Sequence, residues 1–210
     1  MNLQNFLRKT NNRDTFSQAC QDLFVLDMLE NKKNGFYLEI GASHPFESNN
    51  TFLLENQFFW RGLSLEIDDN SANIYNNARL NKCMLGDATN FEYKKSFVEM
   101  NVPLIIDYLS IDIEPAENTF KALLQIPLNE YRFRVITYEH DRYVSGDIYM
   151  NKSRSYLESF GYKLIVSNVK SNGRDFEDWW VDPQLVKKEI WENYIISDIE
   201  FKDILFQKSI

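Results

Sequence analysis

From residue 36 onward the sequence predicts an α/β chain, a mostly parallel sheet with helices on both faces. Three observations carry that expectation. Short apolar runs of strand character alternate with segments whose apolar residues recur at helical spacing. Five successive strands end in polar, mostly acidic residues. The first strand, Phe36-Tyr37-Leu38-Glu39-Ile40, runs into Gly41 and a polar turn closed by Pro45. Strands that alternate with helices pair in parallel and are covered on both sides. A length of 210 residues, 44% of them hydrophobic, suits a single domain over residues 1–210 with a sizeable core.

In chain order, residues 1–15 read as an arm. Phe16 to Leu29 places Cys20, Leu23, Phe24, Leu26, Met28 and Leu29 at helical spacing, with Thr15 or Ser17 as N-cap and Asn34-Gly35 as the stop. After the first strand, Thr51 begins a helix, and Gly62 to Asp68 is a second strand ending in acids. Asp69 to Leu80 reads as helix, weakened by its asparagines. Lys82 to Leu85 is a short strand, and Phe91 to Met100 a helix closed by Asn101-Val102-Pro103. Leu104 to Ile111 is the strongest apolar run, and Pro115 opens a helix through Leu124. Phe133 to Tyr138 is a fifth strand; Ser153 to Phe160 is helical and stops at Gly161. Tyr162 to Val169 and Asp178 to Val181, with little between them, predict a terminal antiparallel hairpin. The segment 184–210 is amphipathic, and Lys187 to Phe206 reads as one long helix that seals the sheet or offers a homodimer face.

Composition narrows the function. A net charge of −8 argues against a protein that grips nucleic acid by neutralising phosphates. Cys20 and Cys83 have neither metal spacing nor a redox partner, which fits a reducing compartment. The polar N-terminus is no secretory signal, and no apolar run is long enough to span a membrane. The expectation is a soluble cytoplasmic protein with neither nucleic acid nor membrane as partner.

The strand ends carry Glu39, Glu66 with Asp68, Asp87, Asp112 with Glu114, and Glu139 with His140. Singly, such acids cap helices or face solvent. In an open parallel sheet all these ends lie along one edge, where ligands bind. Glu66, twenty-five residues past Gly41, is placed to accept both hydroxyls of a ribose, and Asp87 an adenine amino group. Glu39 suits a cationic tail. A dinucleotide site wants Gly-x-Gly-x-x-Gly so that pyrophosphate rests on a helix N-terminus. The run here is Gly41-Ala42-Ser43-His44-Pro45-Phe46, and its acids would repel pyrophosphate. The pattern favours S-adenosylmethionine over NAD.

Ser17-Gln18-Ala19-Cys20-Gln21-Asp22-Leu23-Phe24, Gly35 through Ala42, Asn49-Asn50-Thr51-Phe52-Leu53-Leu54-Glu55 and Leu109-Ser110-Ile111-Asp112-Ile113-Glu114 together resemble the FkbM family of S-adenosylmethionine-dependent methyltransferases. Ile136 to Asp141 and Phe176 to Val181 resemble its later blocks. The chain departs from the usual pattern at Ser43-His44-Pro45 and at Pro115. The resemblance implies a Rossmann-like class I methyltransferase: a seven-stranded sheet in the order 3-2-1-4-5-7-6 with the seventh strand antiparallel. It also implies that Glu39, Gly41 and Ala42 shape the methionine end and that Asn50 and Thr51, with Gln21, meet the amino-acid group. Glu66 then takes the ribose, Asp87 with Ala88 the adenine, and Asp112 lies beside the sulfonium.

Methyl transfer to a hydroxyl needs in-line positioning and a base or metal to lower the hydroxyl's pKa. His140, Asp112 and Glu139 are the catalytic candidates. Asp112, Glu139 and Asp178 form an oxygen set suited to Mg²⁺ or another divalent cation. Trp179-Trp180 is either an aromatic wall for a sugar or part of the core. The leading expectation is an O-methyltransferase for a small-molecule or carbohydrate hydroxyl. The alternatives are an NAD-type oxidoreductase and a non-catalytic binding protein derived from the fold.

Overall fold

The computed structural model describes residues 3–10 and 12–206. Its main sheet is built from β1 (Phe36–Ile40), β2 (Arg61–Glu66), β3 (Lys82–Leu85), β4 (Ile105–Ile111), β5 (Arg132–Glu139), β6 (Lys163–Ser171), β7 (Arg174–Val181) and β8 (Ile196–Ser197). The spatial order is β8-β6-β7-β5-β4-β1-β2-β3. β3, β2, β1, β4 and β5 are mutually parallel, and β7 runs antiparallel to both β5 and β6. The α/β expectation and the order 3-2-1-4-5-7-6 hold, with an eighth strand added at one edge.

Alternation along the strands divides the core in two. Tyr37, Tyr108, Val135 and Trp179 face one layer; Leu38, Leu109, Ile136 and Trp180 face the other. The first layer is filled by α1 (Gln21–Met28), α2 (Phe52–Phe58) and the C-terminal segment. Tyr93 and Phe97 of α4 (Tyr93–Glu99), Ala122 and Leu123 of α5 (Ala116–Gln125) and Leu157 of α7 (Asp147–Ser159), which follows the short α6 (Arg142–Ser145), fill the second. α3 (Asp69–Ala78) packs Ala72 and Tyr75 beside Ala42 and Cys83. Trp179 and Trp180 are fully buried on opposite faces of one strand, so they are core residues and form no wall for a sugar.

Two segments differ from expectation. Lys187 to Phe206 is not one helix. It forms a single turn, α8 (Lys188–Trp191), then a 3₁₀ turn, β8, and a second 3₁₀ turn at Phe201–Asp203. Its apolar residues do not share a stripe: Trp191, Tyr194 and Ile204 are buried, while Ile195 and Leu205 are exposed. The chain wraps the sheet edge instead, pairing Ile196 and Ser197 with Val166 and Ser167, and Asp198 turns it with a φ of 57°. Residues 207–210 of this stretch lie outside the described residues. The N-terminal arm holds a small antiparallel hairpin, Arg8–Thr10 with Arg13–Thr15. Neither Thr15 nor Ser17 sits at the N-cap of α1, which is Cys20; both hydroxyls donate to buried Asp22 Oδ1, at 2.6 and 2.7 Å, and Ser17 Oγ also accepts from Asp22 N at 3.4 Å. The helix ends at Met28, before Asn34-Gly35.

Candidate functional site

The C-terminal ends of β1, β2, β3 and β4 enclose a cavity of about 460 Å³. Among the described residues six acids line it, Glu39, Glu47, Glu66, Asp87, Asp112 and Glu114, and no lysine, arginine or histidine does. Gly41, Ala42, Asn50 and Ala88 also line it. The sequence expectation thus brings together eight of its nine cofactor candidates; the exception is Thr51.

Gly41 is glycine because of the backbone next to it. Its φ is +88°, and a Cβ there would stand 1.8 Å from the Asp112 carbonyl oxygen. Gly41 N donates to Leu65 O and Asp112 N to Ile40 O, both at 3.0 Å, which ties the three strand ends into one rim. The room that glycine leaves is taken by β4, and the ligand space lies beside it.

Glu66 organises its own turn. Its Oε2 accepts from Ser43 N at 2.8 Å, and its Oε1 accepts from Ile67 N and Asp68 N at 2.9 Å. A carboxylate offers about four acceptor positions, so roughly one stays available to a ligand hydroxyl. Asp87, exposed at the cavity, accepts from Thr89 N and Oγ1 through Oδ1, and these bonds hold its pKa below the usual carboxylate value. Its Oδ2 is left for a ligand donor. Asn50 donates to Ser110 Oγ at 3.0 Å, yet its buried Oδ1 has no partner. A buried acceptor in a cavity wall with no donor asks for one from a ligand.

Glu39 is only 2% exposed and accepts from Thr51 Oγ1 (3.0 Å), Ser64 Oγ (2.7 Å) and Tyr75 OH (3.1 Å). Burial raises its pKa, opposed by the Arg79 charge and these hydrogen bonds. Thr51 is fully buried and belongs to this support rather than to the cavity wall. Arg79, a residue the sequence reading passed over, is the hub of the support. It donates to Glu55, Pro45 O, Asn49 Oδ1, Tyr37 OH and Thr51 Oγ1 and packs against the Phe52 and Tyr75 rings. The only sequence signal was its position between an asparagine-rich helix and the third strand.

Asp112 is half-buried, and its carboxyl is pushed up to about 7, by burial first and then by the charges of Asp141, Glu114 and Glu39. The other catalytic and metal candidates lie apart from it. His140 is fully buried: its Nδ1 accepts from Arg142 N, and its Nε2 stands 3.4 Å from Asp178 Oδ1. Asp178 is fully buried too, accepting both Arg154 donors and Asn168 N. Burial would raise its pKa, but the Arg154 hydrogen bonds, with His140, hold it low. Glu139 faces a second cavity. Among the described residues no group of three or more His, Cys, Asp or Glu is arranged to hold a metal ion. The expected set of Asp112, Glu139 and Asp178 is therefore not gathered, because Asp178 is spent on an arginine. Gln21 meets Glu177 rather than the cavity, at 2.9 Å. Glu177 is pushed up to about 8, by burial first and with the Asp112 charge adding, while its Trp179 and Gln21 hydrogen bonds oppose this.

This sheet order, with one edge lined by strand-end acids, can be compared with solved structures. The chain has the fold of the Rossmann-like methyltransferases. It is similar to an O-methyltransferase from Bacillus cereus in complex with S-adenosylhomocysteine, with TM-score 0.52 and 18% identity over 78% of this chain and 80% of that one. It is similar to Aeropyrum pernix fibrillarin with natively bound S-adenosyl-L-methionine, with TM-score 0.52 and 12% identity over 83% and 81%. A third is the human methyltransferase 10 domain containing protein, with TM-score 0.52 and 12% identity over 79% and 82%. No protein-family model and no curated protein sequence matches the chain.

Proposed function

We propose that this chain is an S-adenosylmethionine-dependent methyltransferase that acts on a hydroxyl of a small molecule or carbohydrate. The observation that carries the reading is charge: six acids and no basic side chain line the cavity at the ligand edge of the sheet. A sulfonium with an ammonium suits that lining, whereas a pyrophosphate would be repelled. This places an NAD-type oxidoreductase second. Glu66 would take the ribose and Asp87 the adenine amino group, while Asn50 Oδ1 would accept from the ammonium. Gln18 and Ser48, neutral donors in the lining, would meet the carboxylate. When bound, the cofactor supplies the electrophilic methyl group; the residues position it and exclude water. The resemblance to the FkbM family supports the choice of a hydroxyl acceptor, and the net charge of −8 weighs against an RNA acceptor.

Calorimetric titration with S-adenosylmethionine, S-adenosylhomocysteine and NADH tests the reading. The first two are expected to bind at micromolar affinity and NADH not to bind. Failure of both sulfur ligands to bind would overturn it.

A further inference from the structure

A second cavity of about 410 Å³ lies beyond the acid-lined one and shares Gln18 with it. Among the described residues Glu139, at the end of β5, is its one acid, and Arg174, at the start of β7, is its one cation; Tyr143, Ser171 and Asn172 complete the polar wall. The two charges share a cavity without forming an ion pair. Arg13, Arg79, Arg132, Arg134, Arg142 and Arg154 each hold a carboxylate. Asp175, next to Arg174 in sequence, is committed to Arg142 Nη1 at 2.7 Å.

The guanidinium is nevertheless placed. It lies 5.5 Å over the Tyr143 ring, a contact that leaves its donors open. The turn behind it is fixed from outside by the C-terminal segment: Glu200 accepts from Asn172 N at 3.0 Å and from Gly173 N at 2.5 Å. A guanidinium fork with a hydroxyl and an amide beside it matches a phosphate, which takes several donors at once. A carboxylate across the same cavity matches a hydroxyl donor.

We infer that this second cavity is the acceptor site and that it takes a small hydroxylated molecule bearing a phosphate, held with its phosphate on Arg174 and a hydroxyl on Glu139. The inference rests on the methyltransferase reading of the first cavity, and it narrows the acceptor from any hydroxyl compound to a phosphorylated one.

The test is calorimetry with inorganic phosphate, glucose 1-phosphate and glucose, on the protein alone and saturated with S-adenosylhomocysteine. Both phosphates are expected to bind, with and without the sulfur ligand, and glucose at least tenfold more weakly than its phosphate. Arg174→Gln is expected to lose tenfold or more of the phosphate affinity, and Arg174→Lys to retain part of it. Arg174 is exposed, so an unchanged thermal midpoint shows that the variants fold. Glu139→Gln is expected to weaken glucose 1-phosphate more than inorganic phosphate. Phosphate binding that ignores Arg174, or that S-adenosylhomocysteine displaces, would overturn the inference. Loss of sulfur-ligand binding with Arg174-dependent phosphate binding intact would sink the methyltransferase reading and keep an anion pocket.

Discussion

Arg79→Met should be among the most damaging single substitutions in this chain. The guanidinium is buried and donates Nε to Glu55 Oε2 at 3.0 Å and Nη1 to Pro45 O and Asn49 Oδ1 at 2.9 and 3.0 Å. Methionine fills part of the space between the Phe52 and Tyr75 rings but leaves the Glu55 carboxylate buried without a cation, with Tyr37 OH, Leu80 N and Asn81 Nδ2 as its donors. Removing one partner of a buried pair costs about 3–5 kcal/mol, chiefly from the charge left behind. At roughly 2–4 °C per kcal/mol for a chain of this size, the melting midpoint should fall by about 6–20 °C.

Urea unfolding monitored by tryptophan fluorescence gives the number, and two further arms test the cause. Glu55→Gln/Arg79→Met should be less destabilised than Arg79→Met, because the orphan charge is gone. Burial alone would raise the Glu55 pKa, but the charge and hydrogen bonds of Arg79 outweigh it and hold it below the ordinary glutamate value. The stability this pairing contributes is therefore present above that ordinary value of about 4 and lost as pH falls through the depressed one. The cost of Arg79→Met should accordingly hold above about pH 4 and shrink as pH falls below it. A cost under about 1 kcal/mol, or a double variant worse than the single one, would refute the account of Arg79 as a charged hub.

Glu66→Gln turns one accepting oxygen into an amino group that faces a backbone N–H, so it disturbs the turn as well as the ribose acceptor, and S-adenosylhomocysteine affinity should drop by about 10- to 100-fold, measured by calorimetry. Gly41→Ala meets the Asp112 carbonyl at a left-handed φ and should destabilise by more than about 2 kcal/mol in urea titration; a near-neutral result would contradict the packed rim. Asp112, held up to about 7, is protonated in the folded protein while ionised in the unfolded chain between about pH 4 and 7, so its contribution to stability is lost as pH rises through that window. Asp112→Asn should flatten that slope. Because a cationic ligand favours the ionised carboxyl, S-adenosylmethionine should also bind with proton release near pH 7, seen as a dependence of the binding heat on buffer ionisation enthalpy, and Asp112→Asn should abolish it.

The sheet was legible because its signals are local. Alternation in β1, β4 and β5 and the polar residues at their ends are written in consecutive residues, and the order followed from resemblance. Lys187 to Phe206 misled because an apolar residue every three or four positions describes a helix facing one core as well as a chain that bends around a sheet edge. The difference lies in Val166 and Lys170, twenty or more residues away, which pair with Ile196 and Ile199. The strand-end acids were found as a set, but their division was not. Whether Asp178 faces a ligand or an arginine depends on Arg154, contributed by α7, and nothing near Asp178 in sequence announces it. Arg79 and Asn50 Oδ1 belong to the same class: their meaning is a matter of partners across the fold.

That division is the physical logic of the site. Several buried acids elsewhere are paired with a cation from within, Asp27 with Arg13, Asp107 with Lys32 and Arg134, Asp178 with Arg154 and Asp182 with Arg132, while Asp22 and Glu177 are held by neutral donors. Around the first cavity that pairing gives out at Asp112, whose carboxyl is pushed up by burial first and then by the charges of Asp141, Glu114 and Glu39. Such repulsion is a cost to the empty protein. It makes sense as binding energy held for a cation: a ligand carrying positive charge relieves the repulsion and is stabilised in the same step. By that logic the first cavity discriminates by charge, and a neutral sulfur ligand of the same shape should stabilise the fold less than a sulfonium does.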